Sequence, residues 1–249
     1  KDFMENLESF AEVLILDHHL SPDWNSKKTV AIKGEAGFSA GYLCYHLFSK
    51  IKNLEKWDWL VACSCISDYC HVKPREWLER VFKKYGDKLE YESMYVRQSG
   101  KFWDLQYAIS LALIYFKNKD MKKAYASVNE GFGNIGILKE SAGEVKADID
   151  NTIREFNYKK EPIKEGYFFM GTPKYSINSI VSSILSGTDL HKLFIIIALE
   201  KNFYRVSARR QDGNLDCSKF LQGLLKGLPE GDGGGHVKAA GGHFMTTAA

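Results

Sequence analysis

Three adjacent polar residues, Asp17, His18 and His19, follow a continuous apolar run in the segment LILDHHLSPD. A carboxylate and neutral imidazoles are good ligands for a divalent transition metal. In doubly wound α/β sheets, ligands bind just beyond the carboxyl ends of the strands. The triplet therefore indicates a metal site at a strand end, and the alternative is a polar strand end without a chemical task.

A further candidate metal ligand is Asp68, in the segment CISDYCH. A carboxylate within an otherwise apolar helix is costly to bury unless it is paired or bound to a metal. Two interpretations stay open at this point: Asp68 is a metal ligand, or it simply ends the helix.

Glycines dominate the segment GGGHVKAAGGHF, which contains Gly233, Gly234, Gly235 and His236. Consecutive glycines let backbone N–H groups approach an anion closely, and such a loop binds phosphate without a charged side chain. The alternative is a flexible glycine-rich tail.

The segment YRVSARR has the alternation of a strand, so Arg205, Ser207 and Arg209 are expected on one face. Two guanidinium groups on one face could bind a phosphate through paired N–H donors. The alternative is a solvated edge strand.

Two other patterns resemble known motifs but fit them poorly. A G-x-S-x-G pattern around Ser39 resembles the nucleophile elbow of serine hydrolases, yet the charged segment KGEA separates it from the preceding strand. Cys63, Cys65, Cys70 and His71 do not have a standard zinc spacing. Buried core thiols are the favoured interpretation of these cysteines.

The elements that must position these residues follow from the hydrophobic pattern. The apolar run at 11–17 suits a parallel strand covered on both faces, and 29–33 predicts a second strand. Strand, glycine turn and helix in this order predict an α/β sheet. An amphipathic helix closed by Gly86 is predicted at 75–86. Helices are also predicted across 102–160, where one helix face repeats apolar residues at three- and four-residue spacing: Ala142, Val145, Ile149, Ile153 and Phe156. Alternating strands and helices resume after that segment.

Composition narrows the class of protein. The 249 residues are 45% hydrophobic and 26% charged, which is typical of a packed globular protein. A net charge of +3 is compatible with a polyanionic partner but does not require one. No apolar run is long enough for a membrane span, and no secretory signal is visible. Five cysteines favour a reducing compartment, so we expect a cytoplasmic protein without a membrane partner.

Taken together and in their order, the motifs resemble the DHH phosphoesterase superfamily with its C-terminal DHH-associated domain. They are LDHH at a strand end, SDYC, a helical linker, VSAR and GGGHVKAAG. The chain looks most like RecJ-type exonucleases in their compact archaeal form. The resemblance implies an α/β fold with part of a parallel-sheet DHH domain at 1–100, a helical linker at 101–161 and a smaller α/β substrate-binding domain at 162–249.

The resemblance also implies roles for individual residues. His18 would ligate manganese, His19 would lie next to the scissile phosphate, and Asp17 would hold the pair in position. Asp68 matches the later metal-binding acid of the family. The phosphate or terminal nucleotide of the substrate would be bound by six residues of the C-terminal domain: Ser207, Arg209, Gly233, Gly234, Gly235 and His236.

The implied chemistry is phosphodiester hydrolysis with two metal ions, manganese or alternatively magnesium. The sequence departs from the family pattern, because an H-x-x-x-D-x-D motif and a further Asp upstream of DHH are absent from it. We expect those groups in a segment upstream of the given sequence. We also expect this chain alone to bind manganese weakly and to hydrolyse little.

Three functions stay open. The first is a manganese-dependent exonuclease on single-stranded DNA or RNA, and the second is a nano-RNase or a phosphodiesterase for small or cyclic dinucleotides. The third is a non-catalytic scaffold related to RecJ, with replication or repair proteins as partners. A groove for long strands would need basic and aromatic residues, for which the candidates are Trp24, Lys28, Arg97, Lys101 and Trp103.

Overall fold

The computed structural model describes residues 2–18, 26–35, 37–92, 95–96, 99–117, 119–200 and 202–245. The chain divides into two compact units, Lys1–Ser110 with Lys122–Lys139, and Leu111–Met121 with Glu140–Ala249. Residues of the segment 101–161 therefore occur in both units. The three-part division expected from the resemblance stays a prediction.

The first unit begins with helix α1 (Asp2–Phe10) and a parallel pair of strands, β1 (Val13–Asp17) and β2 (Thr29–Lys33). Asp17 is paired with Lys33, so both strands end at the same edge of this sheet. The predicted α/β class, with parallel strands in these two segments, is confirmed.

Helices make up most of the remaining first unit. They are α2 (Ala40–Phe48), α3 (Asp58–Ser67), α4 (Arg75–Lys84), the first part of α5 (Lys101–Phe116) and α6 (Met121–Val128). Between α4 and α5 lies a short antiparallel pair of strands, β3 (Tyr91–Glu92) and β4 (Tyr95–Val96). Gly86 follows α4 with a φ of +68°, which is the glycine stop that the sequence predicts. The core contains a stacked pair of rings, Phe82 and Phe102, whose centroids are 4.1 Å apart.

The second unit is built on a long helix and one sheet. The helix α7 (Gly136–Lys159) buries Ala142, Val145, Ile149 and Phe156, as the three- and four-residue spacing of its apolar residues predicts. Its other elements are β5 (Glu161–Ile163), β6 (Gly166–Gly171), α8 (Asn178–Thr188), β7 (Leu193–Glu200), β8 (Phe203–Arg209), α9 (Cys217–Leu225), β9 (Asp232–His236) and β10 (Ala239–Met245).

The six strands of this sheet lie in the order β5-β6-β7-β8-β10-β9. Helix α8 packs against β7 and β8, whereas α9 packs mainly against β9 and β10. The core on the α9 side consists of strand residues and one helix face: Leu193, Ile195, Val206, Ala208, Ala240, Cys217, Leu221 and Leu225. None of the helices in the described part of the chain is long and apolar enough to cross a membrane.

The glycine segment forms two strands rather than the loop expected from its composition. Strand β10 is hydrogen-bonded to β8 on one side and to β9 on the other, so its backbone donors and acceptors are used within the sheet. Pairing on both sides outweighs the weak intrinsic preference of glycine for strands. The segment is therefore a rigid hairpin at the edge of the sheet.

Candidate functional site

The register of β8, β10 and β9 defines which residues share one face of the sheet. Ser207 is paired with Gly241, and Gly241 is paired with Gly234. Directly paired residues point to the same side, and so do residues two positions away along each strand. The Ser207 hydroxyl lies 2.8 Å from the Ser182 hydroxyl of α8, so this is the face on which α8 packs.

Two further rows of residues flank the glycine row on the same face. Arg209 is paired with Ala239, which is paired with His236, and Arg205, His243 and Asp232 form the equivalent row on the other side. A pocket of about 630 Å³ opens over these rows. All six predicted substrate-binding residues line it: Ser207, Arg209, Gly233, Gly234, Gly235 and His236. The structure thus brings them together, and their roles stay predictions.

The glycines of the hairpin fall into two groups according to the space around them. A Cβ added to Gly242 would meet Leu225 at 2.4 Å and the Asp232 carbonyl at 2.7 Å, and one added to Gly233 would meet Leu225 at 2.8 Å, so a side chain at either position would displace its neighbours. A Cβ added to Gly234 or Gly241 would meet nothing closer than 3.9 Å. Packing within the protein therefore does not require glycine at the two positions that form the floor of the pocket.

Arg209 is held at the wall of the pocket by the first turns of α8. Its Nε donates to the Ser182 hydroxyl at 3.1 Å, and its Nη2 donates to the Ser179 hydroxyl at 2.9 Å. Ser207 is 5% exposed and contacts the same Ser182 hydroxyl. The network fixes one guanidinium at the pocket before any ligand arrives, which lowers the entropic cost of binding an anion.

The N-terminus of α8 is a functional feature that sequence reasoning missed. Asn178 and Ser179, the first two residues of the helix, line the pocket. The first turn contains no acidic residue, and the position before it provides no side-chain cap. Free N–H groups and the helix dipole make such an end attractive to anions. The available signal was the polar pair at the start of INSIVSSILSG, without an acid nearby.

Arg205 lies at the opposite end of the pocket from Arg209. Its Nε donates to Glu200 Oε1 at 3.1 Å, and its guanidinium lies 5.5 Å from the centroid of the Phe203 ring. Its backbone carbonyl accepts a hydrogen bond from the Asn178 amide at 2.9 Å. The expectation that Arg205, Ser207 and Arg209 share a face agrees with the register, although the two guanidiniums have different partners.

The predicted metal ligands belong to the first unit. Asp17 ends β1, its Oδ1 accepts the backbone N–H of His18 at 2.8 Å, and its carbonyl accepts the N–H of Gly34 at 2.8 Å. His19 lies outside the described residues. Asp68 is exposed at the C-cap of α3, so it does end the helix.

Metal-binding side chains are not gathered into a complete centre in the described part of the chain. No group of three or more His, Cys, Asp or Glu side chains there could hold a metal ion. Carboxylate and imidazole groups such as those of Asp17, His18 and Asp68 can bind divalent metal ions, but a centre with two ions needs more donors than these. The described donor set alone therefore does not fit a pair of ions.

The five residues predicted to line a groove for long strands are not all in the described part of the chain. Trp24 and Arg97 lie outside the described residues. Lys28 donates to the Glu8 carbonyl at 2.5 Å, and Lys101 and Trp103 belong to the first turn of α5. None of the three described candidates lines the pocket over β9 and β10.

The two poorly fitting motifs are explained by packing. Ser39 is fully buried, caps α2 by accepting the Tyr42 N–H at 3.2 Å, and lies 3.4 Å from Cys65 Sγ, so it is not an exposed nucleophile. Cys63 and Cys65 are buried in α3, and burial raises the pKa of the Cys65 thiol to about 12. The favoured interpretation of these cysteines as core thiols is confirmed.

Two solved structures are similar to nearly the whole chain. The DHH domain of a protein described as a member of a family of ribosomal proteins aligns with 97% of this chain and 62% of its own length, at 18% identity and a TM-score of 0.61. RecJ from Thermus thermophilus, in complex with Mg²⁺, aligns with 94% of this chain and 39% of its own, at 17% identity and a TM-score of 0.59. The chain has the fold of DHH-domain proteins.

The likeness to DHH-domain proteins is one of fold. No family model and no curated protein matches the sequence. The chain spans 62% of the first solved structure and 39% of the second. The DHH fold expected from the motifs is confirmed, whereas the assignment to archaeal RecJ-type exonucleases stays a prediction.

Proposed function

We propose that this chain is the nucleotide-binding part of a DHH-type phosphodiesterase acting on single-stranded DNA or RNA or on short oligonucleotides. The observation that carries the proposal is the pocket over β9 and β10, which combines a fixed guanidinium, a helix N-terminus and a floor of glycines. These features occur in a fold shared with RecJ.

The wall of the pocket is where a phosphate group would bind. Arg209 presents N–H donors from a position fixed by Ser179 and Ser182, and the N-terminus of α8 adds the positive end of a helix dipole. A phosphate between them would make charge-assisted hydrogen bonds on two sides. The Ser207 hydroxyl is part of the network that holds Arg209, so Ser207 acts as a positioning residue.

The floor of the pocket is suited to the sugar or base of the same nucleotide. Gly234 and Gly241 carry no side chains, and a Cβ at either position would have one neighbour within 4 Å, at 3.9 Å: Gln222 Nε2 for Gly234 and the Val206 carbonyl for Gly241. A flat or puckered ring could therefore lie directly on the backbone of the sheet. His236, at the end of one flanking row, and His243, in the middle of the other, would border such a ring. This arrangement explains glycine at positions where packing does not require it.

Hydrolysis would need metal ions, which we propose to be manganese, with magnesium as the alternative. Such ions would supply charge neutralisation and an activated water at the phosphate. His18 and Asp68 are the residues that we propose to contribute ligands, with Asp17 holding the two histidines in position and His19 next to the scissile phosphate.

The pocket favours an enzyme over a scaffold, because a scaffold does not need a phosphate site. A long single strand and a dinucleotide both remain substrates of the proposed class. A cytoplasmic location and partners from replication or repair are further proposals from the sequence.

The proposed function is tested by binding and degradation of end-labelled single strands of about two to about thirty nucleotides, with manganese present. We expect binding that weakens with added salt and requires Arg209, together with little hydrolysis. Lys219→Ala is the matched control, because Lys219 is an exposed cation on α9, which packs on the other side of the sheet. Absence of binding to every strand and to mononucleotides at low salt would overturn the proposal.

A further inference from the structure

A second cleft, of about 610 Å³, lies within the same unit. Its walls come from the end of α5 and the residues just after it, the segment before α8, and the residues around the β7–β8 turn. We call it the lysine–tyrosine cleft, after Tyr115, Lys117, Lys119, Lys174 and Tyr175. None of the features used for the proposed function explains why these side chains converge.

Aromatic rings hold the ammonium groups of this cleft in place. Lys119 Nζ lies 3.3 Å from the centroid of the Tyr115 ring and 5.7 Å from that of Tyr175, and Lys174 Nζ lies 5.1 Å from the Tyr175 ring. Cation–π attraction of this kind fixes a lysine without neutralising its charge. The hydrogen bond with Tyr115 also raises the pKa of Lys119.

Tyr175 is itself fixed by two acids of α7. Its hydroxyl donates to Glu144 Oε2 at 2.8 Å, and its backbone N–H donates to Asp148 Oδ2 at 2.9 Å. Tyr115 and Tyr175 lie with their ring centroids 5.8 Å apart and their planes tilted by 34°. The two tyrosines thus form a preorganised aromatic wall rather than two mobile surface side chains.

Positive charge exceeds negative charge in this cleft. Its lining contains the cations Lys117, Lys119, Lys174 and Arg205 and one acid, Glu200. Glu200 is 3.1 Å from Arg205, and outside the lining Glu144 is 3.3 Å from Lys174. Asp148, which accepts the Tyr175 N–H, is a third acid beside the cleft, so the four cations exceed the acids by one, and Lys117 and Lys119 are exposed. A polyanion is therefore the complementary ligand.

Arg205 connects this cleft with the pocket over β9 and β10, because it lines both. Basic side chains interleaved with aromatic rings are typical of surfaces that bind single-stranded nucleic acid. We propose that the lysine–tyrosine cleft binds the neighbouring nucleotide of the same strand, its phosphate at Lys117 and Lys119 and its base against the tyrosine wall. This inference rests on the proposed function and adds to it a second binding site, which holds the next nucleotide of the strand.

The test compares a nucleoside 5′-monophosphate with an oligothymidylate of about six residues, using the whole chain. Lys117→Glu and the double variant Lys117→Ala with Lys119→Ala are measured beside Lys219→Ala. We expect both cleft variants to lower the affinity for the oligonucleotide about tenfold and to reduce the salt dependence of its binding. The affinity for the mononucleotide should be unchanged. Lys117 is exposed just after α5, so Lys117→Glu keeps the test valid if the double variant does not fold.

Two further ligands distinguish the chemistry of the occupant. An abasic oligomer of equal length should bind more weakly than oligothymidylate, and an oligoglutamate of equal charge should lose less affinity than oligothymidylate on Lys117→Glu. Equal affinity of the abasic oligomer, or equal sensitivity of the oligoglutamate, would overturn the assignment to a stacked nucleotide.

The two proposals fail in different ways. If the mononucleotide binds and neither cleft variant changes the affinity for oligothymidylate, the inference is wrong and the proposed function stands. If the wild-type chain binds neither ligand, the proposed function is wrong and the inference falls with it.

Discussion

Gly241 lies directly opposite Ser207 in the β8–β10 ladder, on the face where α8 packs, whereas the next residue, Gly242, faces Leu225 of α9. Two adjacent glycines of one strand are therefore explained by different surroundings. Gly242 makes room for a helix of the protein itself. Gly241 leaves a space that the protein does not fill, which is the space that we assign to a nucleotide.

Substitution of these two glycines should separate stability from binding. Gly241→Val should leave the free energy of unfolding unchanged or raise it by up to about 1 kcal/mol, since a strand favours valine and the site is open. It should abolish nucleotide binding, because the side chain occupies the floor of the pocket. Thermal unfolding and a fluorescence titration with a mononucleotide measure the two effects.

Gly242→Ala is the matched variant and should behave in the opposite way. Its Cβ would meet Leu225 at 2.4 Å and the Asp232 carbonyl at 2.7 Å, so we expect a loss of about 1–3 kcal/mol of stability. Nucleotide affinity, measured where the variant is still folded, should be retained. A Gly241→Val protein that binds the mononucleotide as tightly as the wild type would contradict the claim that the nucleotide lies over these glycines.

Arg209 should be the largest single contributor to phosphate binding. Arg209→Ala removes charge-assisted donors that Ser179 and Ser182 hold in place, so mononucleotide affinity should fall about tenfold or more. Arg209→Lys keeps the charge but loses the planar fork, and an intermediate affinity is expected. Calorimetric titration of both variants, with Lys219→Ala as control, gives the comparison; an Arg209→Ala affinity equal to that of the control would contradict the assignment.

The first unit should lose stability in alkaline solution. Asp58 accepts hydrogen bonds from Lys84 Nζ at 2.8 Å and from the Tyr85 hydroxyl at 2.7 Å. The bond to Asp58 raises the pKa of Lys84 above its usual range, and burial, with Asp58, raises the pKa of Tyr85 to about 12. The folded state therefore keeps protons that the unfolded chain releases near pH 10.

The stabilisation is thus present below pH 10 and is lost as the pH rises from about 10 toward 12. Urea unfolding across this range should show the decline. Tyr85→Phe removes the titrating hydroxyl, so its stability should fall less steeply above pH 10, although it starts lower. A decline of equal slope in Tyr85→Phe would show that another group is responsible.

Thiol reactivity should follow burial in the native protein. Cys63 and Cys65 are enclosed in α3, where burial raises their pKa values and disfavours the reactive thiolate. Cys44 is only half-buried in α2. Mass spectrometry after brief labelling with iodoacetamide should find Cys44 modified first. Labelling of Cys63 or Cys65 at the rate of Cys44 would contradict the assignment of these thiols to the core.

Local patterns were enough to predict most of the elements. The apolar run ending at Asp17, the amphipathic spacing in α7 and the glycine after α4 each depend on a few neighbouring residues, and the structure agrees with all three. The types of the pocket residues were also visible, because arginine, serine and glycine have distinctive chemistry. Their grouping at one site followed from the resemblance rather than from any local pattern.

Long-range pairing is what local patterns could not provide. The sheet places β10 between β8 and β9, so the rows that join Arg209 to His236 and Ser207 to Gly234 depend on a register between distant segments. For the same reason the N-terminus of α8 was not recognised as a wall of the pocket. The strand character of the glycine segment was missed because pairing on both sides overrides its composition.

The central claim is that the α8 face of the β9–β10 hairpin binds a nucleotide through its phosphate, and amide NMR shifts during titration with a nucleoside 5′-monophosphate test it most directly. We predict saturable shifts at Gly234, Gly241 and the first turn of α8, with the outer surface of α9 unaffected. Titration without shifts at these amides, or with saturable shifts confined to another surface, would contradict the account.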